Sequence, residues 1–207
     1  EELRRVIPVI QEIRKRDNNI PISIDTRHSK VAQLAIEAGV DIINDVSGLE
    51  WDSEMVKVAV KEQTPVIVMH SKGNPENMQE NPEYSENVVD EIYKYFARRI
   101  EELVNSGIRK ENIIIDPGIG FGKTLEHNIE IVSRAGEFKS LGCPVLFGIS
   151  RKSMIANITN LPVDQREEAN IALNTYLAAN GVNIIRVHDV KKHHRAMKVL
   201  DRIVKNA

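Results

Sequence analysis

A chain of 207 residues with 42% hydrophobic and 28% charged residues has the balance of an ordinary globular domain, long enough to bury a real core. Its formal net charge of −2 argues against a lysine- and arginine-dominated nucleic-acid surface, and no apolar run reaches the ~18 residues of a membrane span. The one cysteine, Cys143, excludes an internal disulfide framework and fits a reducing, cytoplasmic setting.

The chain opens on "EELRRVIPVIQEIRKR", a helical pattern already under way with no initiator methionine or signal sequence, so the natural protein is expected to begin earlier. From there short β-rich runs alternate with longer helical stretches. The runs are "PISID" (21–25), "DIINDV" (41–46), "PVIVMH" (65–70), "NIIID" (112–116), "PVLFGIS" (144–150) and "NIIRVHD" (183–189). Each is nearly continuous in isoleucine and valine, as expected for strands covered on both faces of a parallel sheet. Helices are predicted over 27–38, 52–63, 85–106, 124–141, 165–180 and 190–205. Gly39, Gly107, Gly142 and Gly181 stand at expected helix ends. Strand–helix alternation at this spacing means α/β architecture, and residues 1–207 read as one domain with no linker.

Six strands fit either an open doubly wound sheet or a (β/α)₈ barrel that lacks its first two units. Every strand ends on polar groups: Asp25, Asn44 with Asp45, His70, Asp116, Ser150 with Arg151 and Lys152, and Arg186 with His188. In a barrel such ends converge on one mouth; in an open sheet only those near a switch point meet. The expectation is therefore a TIM (β/α)₈ barrel, here incomplete, with about six parallel strands.

"IIIDPGIGFGKT" (113–124) shares Gly122-Lys123-Thr124 with a phosphate-binding P-loop, but Pro117 holds the place of that motif's first glycine. Proline has no N–H to donate and cannot take a positive φ, so a Walker loop is rejected. Asp116 ends a very apolar strand, where a carboxylate needs a partner. It either caps the following turn or accepts hydrogen bonds from a ligand's N–H groups, with Gly118, Gly120 and Gly122 letting that ligand approach the backbone. "GISRKSM" (148–154) places Arg151, Lys152 and Ser153 beyond a strand beside an expected helix start, a setting for an anion or carbonyl oxygen. Arg186 and His188 are two apart in a predicted strand, so both side chains point the same way, and a bound anion explains the pair. Asp25 and Asn44 fit either a satisfied buried network or ligand-binding groups.

Together, "SIDT", "DIINDVSG", "MHSKGNPENMQ", "DPGIGFGKTLEHN", "SRKSMI" and "IIRVHDV" resemble the dihydropteroate synthase family, in order and spacing from end to end. The resemblance implies a transferase of folate biosynthesis on a (β/α)₈ barrel. It joins 6-hydroxymethyl-7,8-dihydropterin diphosphate to p-aminobenzoate, giving 7,8-dihydropteroate and pyrophosphate. By resemblance, Asp116 accepts hydrogen bonds from the pterin ring, Asn44 and Asp25 hold other ring edges, and Met69 packs against the ring. Lys152 reaches the pterin oxygen. Arg186 and His188 hold the diphosphate. Phe121 and Ser153 sit near p-aminobenzoate, and Gly148 belongs to the substrate-binding set. Lys152, Arg186 and His188 are the expected catalytic residues. The resemblance further implies Mg²⁺, a target for sulfonamide-type mimics, and a homodimer through the last helices, where Met197, Leu200 and Val204 form an apolar stripe.

The chain departs from the family pattern in three places. The Asn-x-Thr-Pro-Asp-Ser-Phe-Ser-Asp stretch with the metal-binding asparagine, and the Glu-Ser-Thr-Arg-Pro stretch, are both absent, so impaired catalysis is expected of this form. Ala169-Asn170 stands where many members carry Gly-Thr. Two other readings compete: a pterin-dependent methyltransferase, which would not be expected to carry Ser150-Arg151-Lys152 and Arg186-x-His188, and a pterin-binding module without turnover.

Overall fold

The structure is a computed structural model that describes residues 1–73 and 82–204. The "MHSKGNPENMQ" stretch therefore lies partly outside the described residues, as does Lys205 at the end of the last predicted helix. Contacts divide the chain into two compact units, Glu1–His70 with Phe96–Ile115, and Ser71–Tyr95 with Asp116–Ala207.

The first unit begins with helix α1 (Glu2–Arg16). Then come β1 (Ser23–Asp25), α2 (Ser29–Glu37), β2 (Ile42–Asp45), α3 (Glu54–Glu62) and β3 (Val66–Met69). It regains the chain within α4 (Val88–Asn105) and holds most of β4 (Ile113–Asp116). These four strands form one sheet in sequential order. β1 pairs β2 in parallel with Asp25 beside Asn44, and β2 pairs β3 in parallel with Asp45 beside Val68. Every residue of β3 and β4 is buried, which is why those runs carry no alternation. On one flank Ile10 of α1, Ile24 of β1 and Val31 and Ala35 of α2 form a cluster, with Leu3, Val6 and Ile7 packed against it. Arg14 ties the end of α1 to the next connections, donating from Nε to the Gly39 carbonyl at 2.8 Å and from Nη1 to the Ile20 carbonyl at 2.6 Å.

The second unit carries α5 (Leu125–Ser133), β5 (Leu146–Phe147), α6 (Ser153–Thr159), α7 (Glu167–Ala179), β6 (Ile184–Ile185) and α8 (Val190–Val204). β5 and β6 pair in parallel, Leu146 beside Ile184 and Phe147 beside Ile185. The α/β class and the six strands agree with the sequence. The glycines at the predicted helix ends all adopt positive φ, from +74° at Gly142 to +112° at Gly39.

Three details differ. The helix expected over 124–141 is α5 followed by a 3-10 helix at Ala135–Leu141; Gly136 near its start weakens a continuous α-helix there. Helix α6 is expected from the sequence only as a helix start beside Ser153, without a range among the predicted helices, because its seven residues "SMIANIT" are too few to show a period. β5 and β6 cover only Leu146–Phe147 and Ile184–Ile185 of the runs predicted over 144–150 and 183–189, so Ser150, Arg186 and His188 lie beyond the strands, and the alternation expected to align the side chains of Arg186 and His188 does not apply.

Candidate active site

The second unit gathers most of the predicted chemistry. Asp116, the last residue of β4, is 2% exposed. One carboxylate oxygen accepts from the Gly118 N–H at 2.8 Å. Burial pushes its pKa up, opposed by that hydrogen bond and by the charges of Arg186, Lys123 and Lys152. A buried carboxyl of this kind favours its charged form only as far as such neighbouring donors and positive charges offset the cost of burial.

The loop after it is set by backbone geometry. Gly118, Gly120 and Gly122 all have positive φ. At Gly122 a Cβ would fall 2.1 Å from the Lys72 carbonyl oxygen, so no side chain fits. Tyr84 donates its hydroxyl to the Gly122 carbonyl at 2.9 Å, and burial raises the Tyr84 pKa. Thr124 caps α5 reciprocally with His127. Asn128, buried on α5, accepts from the Gly120 N–H at 2.8 Å and donates to the Thr124 carbonyl at 2.7 Å. Lys123 is not aimed at solvent as a P-loop lysine would be. It is 2% exposed, donates to the Phe121 carbonyl at 3.0 Å, and burial pulls its pKa down to about 7.

Lys152 is half-buried with Nζ 4.0 Å from the Phe121 ring centroid, a cation–π contact. Burial lowers its pKa, Asp116 opposes that, and Arg186 adds to it. Arg151 beside it holds φ +63°, the left-handed region, without being glycine. Ser153 opens α6 and is exposed. Because α6 has seven residues, the expected helix-start field is small, and the positive charge here comes from side chains. A Cβ at Gly148 would stand 3.0 Å from Nε and Nη2 of Arg186, so this glycine makes room for the guanidinium. Arg186 and His188 are both exposed. His188 Nδ1 lies 2.8 Å from the Ser150 hydroxyl.

The first unit presents its own polar strand ends. The Asn44 amide donates to Asp25 at 3.0 Å, Asn44 being buried and Asp25 exposed. Met69 ends β3 at 1% exposure. Asp45, not among the predicted site residues, is wholly buried. One of its oxygens accepts from the Ser47 N–H and hydroxyl at 2.8 and 2.6 Å, and the other has no hydrogen bond. Burial raises its pKa, against the two Ser47 hydrogen bonds. Among the described residues no three His, Cys, Asp or Glu side chains come together as metal ligands. No helix among the described residues is long and apolar enough to cross a membrane.

A buried carboxylate at the head of a glycine-rich loop feels the charges of Lys123, Lys152 and Arg186, with His188 two residues beyond that arginine. The family model described as "Pterin binding enzyme" matches residues 1–188, and the chain belongs to that family. A curated dihydropteroate synthase from Clostridium beijerinckii is 43% identical over 99% of this chain and 73% of its own length. The solved dihydropteroate synthase of Yersinia pestis, in complex with a sulfonamide drug, has a TM-score of 0.94 at 36% identity, covering 99% of this chain and 74% of that one. That of Thermus thermophilus, in complex with 4-aminobenzoate, has a TM-score of 0.91 at 34% identity, covering 98% and 77%. Dihydropteroate synthase function is what these relatives support.

Proposed function

We propose that the chain acts in the condensation of 6-hydroxymethyl-7,8-dihydropterin diphosphate with p-aminobenzoate, forming 7,8-dihydropteroate and pyrophosphate. The observation that carries this reading is Asp116, buried at the end of β4 within the field of Lys123, Lys152 and Arg186. A carboxylate there accepts from the pterin's ring N–H and amino groups, and low-dielectric surroundings strengthen those bonds. Lys152 donates to the pterin oxygen, while Phe121 and Ser153 lie on the aminobenzoate side. Asn44, Asp25 and Met69 carry, by resemblance, the other ring contacts.

The exocyclic C–O bond breaks as the aniline nitrogen attacks the methylene carbon. The electron pair leaves with pyrophosphate, and the aniline proton passes to solvent. Arg186 and His188 meet the negative charge that grows on the leaving group. Positioning carries much of the remaining rate. A homodimer through α8 belongs to the same proposal; Val199, Ile203 and Val204 leave apolar surface exposed there. A cytoplasmic setting does too, given that Cys143 is a buried thiol outside any disulfide.

The test is calorimetric titration with 6-hydroxymethylpterin of the wild type beside Asp116→Asn. Loss of two charge-assisted hydrogen bonds predicts affinity lower by about 100-fold or more. Equal affinity in both proteins refutes the assignment of Asp116.

A further inference from the structure

Behind His188 lies a run of side chains that the proposed reaction does not use. Ser150 Oγ is 2.8 Å from His188 Nδ1 and accepts from the Asn170 amide at 3.0 Å. Asn170 Oδ1 accepts from the Asn174 amide at 3.1 Å, and the same Asn174 nitrogen is 2.9 Å from His193 Nε2. His193 Nδ1 is 3.0 Å from the carbonyl oxygen of Asp189, the residue after His188, so the run nearly closes on itself. Ser150, Asn170, Asn174 and His193 are all buried, Asn174 completely.

With the His193 ring neutral and the amides oriented as they stand, the direction of every bond follows from groups with only one role. The Asp189 carbonyl can only accept, so His193 carries its proton on Nδ1. In the neutral ring Nε2 then accepts, and one Asn174 N–H points to it. The other Asn174 N–H meets Asn170 Oδ1, which turns the Asn170 amide toward Ser150. Ser150 Oγ thus receives a proton from Asn170, and the His188 backbone N–H also points to it at 3.4 Å. The Ser150 hydroxyl proton is left to go to His188 Nδ1, and the neutral His188 ring keeps its own proton on Nε2.

We propose that Asn170 and Asn174, with His193 as anchor, are positioning residues that fix His188 as the Nε2–H tautomer and so present a hydrogen-bond donor to the leaving diphosphate. This rests on the reading of His188 given above as a diphosphate ligand. A histidine free to exchange tautomers would offer a bare acceptor to an anion part of the time; the amide run removes that state. Glu167 Oε1 lies 3.3 Å from His193 Nδ1 and, like the Asp189 carbonyl, favours a proton on that nitrogen, while Asn174 Oδ1 is buried without a hydrogen bond.

The experiment is nitrogen NMR of ¹⁵N-histidine-labelled protein, with His188→Gln and His193→Gln to assign the signals. The expected spectrum shows His188 protonated on Nε2 and His193 on Nδ1. Asn170→Leu is expected to leave His193 as it was and to turn His188 into a tautomer mixture, with turnover about 10-fold lower and KM for the pterin substrate little changed. A wild-type His188 protonated on Nδ1 overturns the proposal, and that outcome is readable even if the variant fails to fold. So does a folded Asn170→Leu protein with the His188 tautomer unchanged. Added inorganic pyrophosphate separates the two readings. A shift at His188 Nε2 supports its role toward the leaving group, whereas no shift with the expected tautomer removes the diphosphate role and leaves the ordering of the ring standing.

Discussion

The segments after β2 and after β4 start alike and are solved differently. Each follows an apolar strand that ends in a buried carboxylate, Asp45 or Asp116, whose pKa burial pushes up. Each turns through left-handed backbone, at Gly48 and Leu49 in one and at Gly118, Gly120 and Gly122 in the other. Around Asp45 the compensation is the hydroxyl and N–H of Ser47, with a smaller contribution from the Leu49 N–H, and one oxygen makes no hydrogen bond of normal geometry. The turn itself is gripped by the buried Arg99, which donates to the Gly48 and Leu49 carbonyls at 2.9 and 3.0 Å. Around Asp116 the Gly118 N–H comes first and the charges of Arg186, Lys123 and Lys152 add to it, while the turn is held by neutral groups, Asn128 and Tyr84. A charge used to fasten a loop is consumed by the backbone. A charge gathered around a carboxylate remains available to a ligand.

The sharpest break of this contrast is Gly122→Ala. A methyl 2.1 Å from the Lys72 carbonyl at φ +66° forces both backbones apart. A stability loss of about 4 kcal/mol is expected from the combined strain and overpacking, read from urea unfolding. A Gly122→Ala protein as stable as the wild type would mean the glycine loop is not closely held. Next is Arg99→Met, which leaves two carbonyls without their charged donor. About 2–3 kcal/mol is expected, with pterin affinity retained, because the arginine fastens the turn and does not reach for ligand. A fall in pterin affinity matching the Asp116→Asn loss would erase the distinction between the two loops.

The smallest effect is Asp45→Asn. A raised carboxyl pKa means that the folded state holds its proton more tightly than the unfolded chain. The associated stability is complete below the unfolded value of 3.8 and is lost as pH rises through the raised folded value. At neutral pH the buried Asp45 carboxyl therefore costs stability, and its replacement by the amide should raise Tm by about 2–4 °C. The gain should vanish as pH falls to near the unfolded value. A gain that persists in acid would place its origin outside the charge.

Much of the fold and site is legible in the sequence because burial on both faces writes strands as plain isoleucine and valine runs, and because Pro117 excludes the P-loop reading on its own. The strand ends at Asp25, Asn44 and Asp116 come with them. What stays hidden depends on contacts distant in sequence. Nothing local to Lys123 marks it as buried, and only the fold shows that it is. Arg186 and His188 sit in a run that reads as strand, though the ladder stops at Ile185. The ring behind His188 leaves one faint sign, since Asn170, Asn174 and Leu177 stand at helical spacing and are all buried. Polar residues on that stripe suggest a solvated face unless the neighbours that satisfy them are known.

Arg151 draws a last consequence from its backbone. A non-glycine residue at φ +63° carries strain of about 1 kcal/mol or more that glycine would not. Laboratory selection for heat tolerance alone should therefore recover Arg151→Gly early. Selection that also demands turnover should keep the arginine if its charge matters to the anion beside Lys152. The position is a place where robustness and catalysis pull the same codon in opposite directions.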